Sequence, residues 1–177
     1  MSNKKEHLGA YSFLFTTTGK FLFLYLPDED NGKLEAVPGT DVTEFMALSP
    51  ALLGVISGGV DPGEESDLRK TIMREAGEER GISPDITQIT NGYPKLEVLQ
   101  RRPKNGALVQ VGFSVIGHKI ILQPEQEQHL VDNYPHEIIA PDALADLLRL
   151  EGKTLFRPFV YVALLNTIEA RLHLINQ

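Results

Sequence analysis

The sequence of 177 residues contains no cysteine and no long hydrophobic run. Without cysteine, disulfide bonds and thiolate catalysis are excluded, and the composition is compatible with a reducing compartment. The longest unbroken apolar run, Phe159 to Leu165, is far too short to cross a bilayer. The first residues include two lysines but no apolar segment of signal-peptide length. We therefore expect a cytoplasmic protein that does not associate with a membrane.

The sequence also lacks an excess of basic residues. Its formal net charge is −7 and its pI is about 5.2, which argues against binding to nucleic-acid polymers, because that binding needs a basic surface. Small anionic substrates are not excluded, since a bound metal ion can invert the local field. The length and the 42% hydrophobic content predict a single domain over residues 1–177 with a substantial core.

Three glutamates crowd into the segment Arg74 to Gly81, REAGEERG. Glu75, Glu78 and Glu79 lie within about one helical turn, where each like-charged pair costs a few tenths of a kcal/mol. A solvated, salt-bridged helix face is the ordinary explanation of such a run. A helical projection favours another explanation for two of the three acids.

In that projection, Glu75 and Glu79 extend the apolar stripe of the helix. The stripe itself consists of Leu68, Ile72 and Ala76, and the cations Arg69, Lys70, Arg74 and Arg80 fall on the opposite side. Acids on a core-facing stripe need a partner, because a buried unpaired carboxylate is strongly disfavoured. Since no cation of this helix points that way, a bound divalent metal ion is expected to supply the charge.

The rest of the chain alternates between strand and helix patterns. We predict a strand pair over residues 10–26, a long surface excursion over 27–50, a strand at 51–56, and strands around a turn at RRPKNG. The acidic helix is predicted from Asp67 to Arg80, capped by Ser66 or Asp67 and ended by Gly81. Further helices are predicted at 142–149 and from Pro158. This order predicts an α/β layered domain.

The segment GGVDPGEESDLRKTIMREAGEERGI, residues 58–82, resembles the Nudix box, whose consensus is G-x5-E-x7-R-E-U-x-E-E-x-G-U with U aliphatic. It departs from the consensus at two points. Eight residues, instead of seven, separate Glu65 from Arg74, and Ala76 is small for its aliphatic position. The one-residue insertion leaves open whether Glu64 or Glu65 takes the role of the loop glutamate.

The resemblance implies a Nudix-like α/β/α sandwich around a mixed β-sheet. It also implies that the protein hydrolyses a nucleoside diphosphate linked to another moiety, in a reaction that depends on Mg²⁺ or Mn²⁺. Glu75, Glu78 and Glu79 would then hold the metal, with an oxygen ligand from the Gly59 or Gly58 carbonyl. Carboxylate and carbonyl oxygens are the ligands that Mg²⁺ prefers.

In the same resemblance, Arg74 would pair with the loop glutamate, Glu64 or Glu65, and would point away from the metal. Glu78 and Glu79 would act in catalysis. Many Nudix enzymes recruit a further glutamate from a later loop, and Glu137 in HEIIAPDAL is our candidate for this role. Glu125 and Glu127 are its competitors.

Residues that contact the substrate are less clearly marked. Arg101 and Arg102 are candidates for binding a phosphate, although a solubilising hairpin turn also explains them. Tyr93 is a candidate for stacking on a base, and packing against the sheet is its alternative. The excursion over residues 27–50 is a candidate for a specificity element or a homodimer contact.

The resemblance thus implies a pyrophosphohydrolase that cleaves a nucleoside diphosphate linked to another moiety. ADP-ribose and nucleotide sugars lead the candidate substrates, nucleoside triphosphates follow, and dinucleoside polyphosphates come last. The alternative is a Nudix-like module that senses a nucleotide without hydrolysing it.

Overall fold

The computed structural model describes residues 7–175, and the side chains of residues 7–167. In this part of the chain, nine strands form one sheet: β1 (His7–Phe15), β2 (Phe21–Tyr25), β3 (Leu34–Ala36), β4 (Met46–Ala47), β5 (Leu53–Gly54), β6 (Ile56–Gly59), β7 (Ile89–Lys104), β8 (Ala107–Ile121) and β9 (His136–Ile139). The helices are α1 (Arg69–Arg80), α2 (Pro124–Asn133), α3 (Pro141–Leu155) and α4 (Pro158–Ile175).

The sheet is mixed. Its order is β4-β3-β7-β8-β1-β2-β5, while β6 pairs with β1 and β9 pairs with β2. Strand β1 runs parallel to β8 and antiparallel to β2 and β6. Because β1 is bonded to β8 on one side and to β6 and then β2 on the other, it is a central strand that carries side chains into both faces.

Alternate residues of the central strands form two separate cores, as the pleat requires. Ala10 and Leu14 of β1 pack with α1 and α2, whereas Tyr11 and Phe13 pack with α3 and α4. The sheet therefore lies between two helical layers, and the predicted α/β/α sandwich around a mixed sheet is confirmed. None of the described helices is long and apolar enough to span a membrane.

Helix α1 begins later than predicted. It starts at Arg69, and its N-cap, Leu68, makes no side-chain capping bond. Asp67 lies just outside and accepts a hydrogen bond from the Arg69 amide through Oδ1, at 3.1 Å. The predicted end is correct: Gly81 has φ of +67°, and its N–H bonds back to the last turn, a conformation that glycine adopts without strain.

Three further elements differ from the prediction. The hairpin turn consists of Asn105 and Gly106 alone, both with positive φ, and not of the whole RRPKNG segment. The RRPK residues belong to strand β7. Helix α3 continues to Leu155. Helix α2 was not predicted, although Pro124 at its first position and the capping box of Gln123 with Gln126 are start signals.

The excursion over residues 27–50 is not only a surface loop. It contributes β3 and β4 to one end of the sheet, where Leu34, Glu35 and Ala36 of β3 pair with β7. Its first part, Asp28–Asp30, is a single turn of 3-10 helix. This arrangement places Glu29 and Asp30 at the same cavity as Gly58 and Gly59 of β6.

Candidate active site

The candidate site is built where strand β6 leads through a loop into helix α1. Gly58, in β6, is approached very closely by the Glu75 side chain: a Cβ added to Gly58 would lie 2.2 Å from Glu75 Oε1. A side chain at position 58 would therefore occupy the space of this carboxylate. Glycine at this position lets Glu75 rest against the strand backbone.

Arg74 joins the loop to the helix. Its Nε donates to Glu64 Oε2 at 3.0 Å, and its Nη2 donates to the Gly59 carbonyl at 2.7 Å. Glu64 also accepts from Thr71 Oγ1 at 3.0 Å and from the Asp61 amide at 2.8 Å. The Arg74 hydrogen bond is the main cause that lowers the Glu64 pKa.

Of the two candidates for the loop glutamate, Glu64 is the one that contacts Arg74 in the structure. Glu65 instead accepts a hydrogen bond from the Gly63 amide at 2.9 Å. Nine residues separate Glu64 from Arg74, and five residues separate Gly58 from Glu64, which is the spacing of the first half of the box.

The prediction that Arg74 points away from the acid cluster is wrong. Its Nη1 donates to Glu75 Oε1 at 2.7 Å and to Glu78 Oε2 at 3.2 Å. The helical projection assigned Arg74 to the outer side, but its long side chain reaches Glu75 and Glu78. The same guanidinium therefore contacts the loop, the strand carbonyl and two acids of the box.

Glu75 and Glu79 line a cavity of about 240 Å³ at this end of the sheet. The pKa of Glu79 is raised to about 8, chiefly by burial and then by the charge and hydrogen bond of Glu75. Without a cation, Glu79 therefore holds a proton near neutral pH. A divalent cation between them would remove the cost of ionising both.

Glu78 is placed differently from the other two glutamates. Its side chain is 62% exposed, against 12% for Glu75, and it extends to Arg74 outside the residues that line the cavity. Within the described residues, no three histidine, aspartate or glutamate side chains converge as metal ligands. The predicted three-glutamate set is therefore not assembled, because Arg74 draws Glu75 and Glu78 into ion pairs.

The donor set still fits a hard divalent cation. Mg²⁺ is commonly held by one or two carboxylates together with water and substrate phosphates, and Glu75 and Glu79 supply two carboxylates in one cavity. The Gly58 and Gly59 backbone lines the same cavity, although the Gly59 carbonyl already accepts from Arg74.

Glu137 does not lie where its predicted role requires. It is exposed on β9, directly opposite Phe23, whose ring belongs to the core under α3 and α4. Directly opposite residues of an antiparallel pair point to the same face, and α1 packs on the other face. The Glu137 carboxylate accepts from Tyr25 Oη at 2.9 Å and does not line the cavity.

The competitors of Glu137 lie earlier in the chain, in helix α2. Glu125 is exposed in the first turn of α2. Glu127 accepts a hydrogen bond from the Thr17 amide at 2.8 Å, in the turn between β1 and β2. Neither of them lines the cavity.

The three residues predicted to contact the substrate lie in different places in the structure. Arg102 lines the cavity. Arg101, its neighbour on β7, points to the opposite face and lies over the Phe45 ring at 4.0 Å. Tyr93 packs in the core, with its ring centroid 4.9 Å from that of Phe13, so the packing alternative holds for this residue.

Sequence reasoning missed Gln100 and Arg157, which line the cavity, and Glu35, which binds both of them. Glu35, Gln100 and Arg157 form a buried network there, at positions 0%, 5% and 7% exposed. The only sequence signal for Glu35 was a single acid between apolar residues in LEAV. Its partners are 65 and 122 residues away, beyond the reach of any local pattern.

Comparison with solved structures now identifies the fold. A MutT protein from Methanosarcina mazei Go1 superposes with a TM-score of 0.53, over 97% of this chain and 99% of that chain, at 12% sequence identity. The chain has the Nudix hydrolase fold.

A NUDIX hydrolase from Nitrosomonas europaea also matches, at 12% identity, over 94% of this chain and 90% of that chain with a TM-score of 0.43. No protein-family model and no curated protein sequence matches the chain. The likeness to the Methanosarcina mazei protein concerns the fold.

Proposed function

We propose that this protein is a pyrophosphohydrolase that needs Mg²⁺ or Mn²⁺ and cleaves a nucleoside diphosphate linked to another moiety. One observation carries the proposal: Glu75 and Glu79 meet in one cavity, in a pairing that is costly unless a proton or a cation lies between them. They do so on a loop and helix that resemble the Nudix box, in a chain with the Nudix fold.

Each residue of the box has a separate part in this proposal. Glu75, placed against Gly58, and Glu79 would hold the metal ion, and Arg74 keeps the loop and the helix together through Glu64. The bound ion would neutralise the pyrophosphate and make a bound water more acidic. Glu79 would also accept the proton of the attacking water, a role in which it is preferred to Glu137 because only Glu79 lines the cavity.

Glu78 stays in the proposal as a third ligand. Its side chain is exposed, and an exposed ion pair such as its contact with Arg74 contributes little free energy. A metal ion carries more charge than the guanidinium, so Glu78 can exchange this contact for the ion at small cost.

The substrate is proposed to be a small nucleotide, with ADP-ribose or a nucleotide sugar first and nucleoside triphosphates next. The test is Mg²⁺-dependent phosphate release, measured with a coupling phosphatase across ADP-ribose, nucleotide sugars, nucleoside triphosphates and dinucleoside polyphosphates. Wild type is compared with Glu79→Gln, which keeps the shape of the side chain but removes its charge. Glu137→Gln is the matched control, because that acid lies outside the cavity.

We expect turnover of at least one substrate class by wild type and by Glu137→Gln, and a loss of at least about 100-fold in Glu79→Gln. Equal turnover in wild type and Glu79→Gln would contradict the assignment of the box. Binding of a nucleotide without turnover in wild type would favour the sensor over the enzyme.

A further inference from the structure

Arg102 is a cation of the cavity that pairs with no acid among the residues that the structure describes. It lines the same cavity as Glu75 and Glu79. Its Nε and Nη2 donate to a neutral acceptor, Gln100 Oε1, at 2.9 and 2.6 Å. Within the described residues Arg102 forms no ion pair. It is partly buried, whereas the neighbouring Arg101 is exposed.

The Arg102 guanidinium is held in place from two sides. Its Cζ lies over the Phe113 ring, 5.0 Å from the centroid, which covers one face of the planar group. The Gln100 amide fixes one edge. No protein acceptor contacts Nη1 among the described residues, so an edge of the fork is available to a ligand in the cavity.

The orientation of Gln100 is itself fixed by a buried acid. Gln100 Nε2 donates to Glu35 Oε1 at 2.8 Å, so the amide oxygen must face Arg102. Glu35 is fully buried and also accepts from Arg157 Nη2 at 2.9 Å. The charge of Glu35 is thus neutralised by Arg157. Gln100, which is uncharged, fixes the position of the Arg102 guanidinium without neutralising its charge.

The network therefore holds one acid and two cations, and its excess positive charge belongs to Arg102 at the cavity. Asp30, which also lines the cavity, is paired with Lys33 at 2.7 Å. A partly buried guanidinium is stabilised best by an anion that accepts two parallel hydrogen bonds, and phosphate has this geometry.

We propose that Arg102 binds a phosphate group of the substrate, and that Gln100 and Glu35 are positioning residues that aim it. This inference rests on the proposed function, because it takes the ligand of the cavity to be a phosphate ester or anhydride. It extends that function by assigning the substrate anion to a residue of β7, in the same cavity as the acids of α1.

The test is calorimetric binding of methylene diphosphonate, a pyrophosphate analogue without a hydrolysable bridge, with Mg²⁺ and with a chelator. Arg102→Gln should weaken binding by about 10- to 100-fold under both conditions, because a hydrogen-bonded charge is lost. Arg102→Lys should lie between, since it keeps the charge and loses the fork. Arg101→Gln is the matched control and should bind like wild type.

Two results would overturn the inference: no binding by wild type, or equal binding by Arg102→Gln and Arg101→Gln. The outcome is separable from that of the proposed function. A protein that never turns over but loses diphosphonate binding in Arg102→Gln has the anion site without the activity. A protein whose turnover depends on Glu79, with diphosphonate binding indifferent to Arg102, has the activity without this site.

The positioning role has its own readout. Gln100→Met keeps the volume but removes the acceptor that orients Arg102, so diphosphonate affinity should fall about 3- to 10-fold. In a substrate that is turned over, KM should rise in the same proportion while kcat is retained. A fall in kcat with an unchanged KM would show that Gln100 does not act through Arg102.

Discussion

Replacing Glu79 by glutamine should make the metal-free protein more stable, and increasingly so as the pH rises. The pKa of Glu79 is raised from its ordinary 4.5 to about 8 by burial and by Glu75. Between pH 4.5 and about pH 8, the folded state therefore keeps a proton on Glu79 that the unfolded chain has already released. Stability is lost as the pH rises through this window and levels off above about 8.

The size of the effect follows from the same shift. Each unit of pKa difference corresponds to about 1.4 kcal/mol. Because Glu79 is only partly buried and faces a cavity, we take about half of the change in unfolding free energy that the full pKa shift would give. The stability advantage of Glu79→Gln should then widen by about 2 kcal/mol between about pH 5 and pH 8, or roughly 4–8 °C in Tm for a chain of this length.

The assay is thermal unfolding of wild type and Glu79→Gln at several pH values, with a chelator and with Mg²⁺. Gln can still donate a hydrogen bond to Glu75, so the substitution tests charge and not packing. Mg²⁺ should raise the Tm of wild type at high pH and should have little effect on the variant. A difference between the two proteins that does not change with pH would refute the reasoning.

Two further predictions concern packing around the site. Gly58→Ala should lower the free energy of unfolding by about 1–3 kcal/mol and reduce Mg²⁺-dependent activity, because its Cβ would collide with the Glu75 carboxylate. Gly59→Ala should do neither, because its Cβ meets no atom within 4 Å. Urea unfolding of both variants checks the stability change, and equal losses of stability would contradict the prediction. Glu35→Gln should destabilise the fold by about 3–5 kcal/mol, because it leaves Arg157 buried without its acid, and a cost below about 1 kcal/mol in the same measurement would show that the ion pair is not essential.

The central helix shows what a local pattern can predict. The stripe of Ile72 and Ala76 is fully buried, and Glu75 and Glu79 extend it into the cavity as the projection indicated. Gly81 ends the helix with the left-handed conformation that the sequence implied. These features depend on residues within one or two turns of each other, so the helical period contains the necessary information.

The arginines of the same helix show where such a pattern stops. Arg80 was assigned to the outer side with Arg74, yet it is 5% exposed, donates to the Tyr25 carbonyl at 3.1 Å and lies over the Tyr134 ring. A helical angle fixes the direction of Cβ, but a long flexible side chain can leave that direction to reach a partner.

The buried network at the cavity was beyond sequence reasoning for a different reason. Glu35, Gln100 and Arg157 come together only after β3 pairs with β7 and the chain reaches the start of α4. Glu137 was misplaced for the related reason that its strand pairs with β2, which decides the sheet face on which the side chain lies. Strand pairings between distant segments are set by the whole fold.

The most direct test of the account is a Mn²⁺ titration followed by electron paramagnetic resonance, which reports the free ion. Wild type should bind Mn²⁺, and Glu137→Gln should bind it with the same affinity. Glu75→Gln and Glu79→Gln should each bind it at least about tenfold more weakly, since each loses one of the carboxylates proposed to hold the ion. Equal Mn²⁺ affinity in all four proteins would contradict the claim that Glu75 and Glu79 form the metal site.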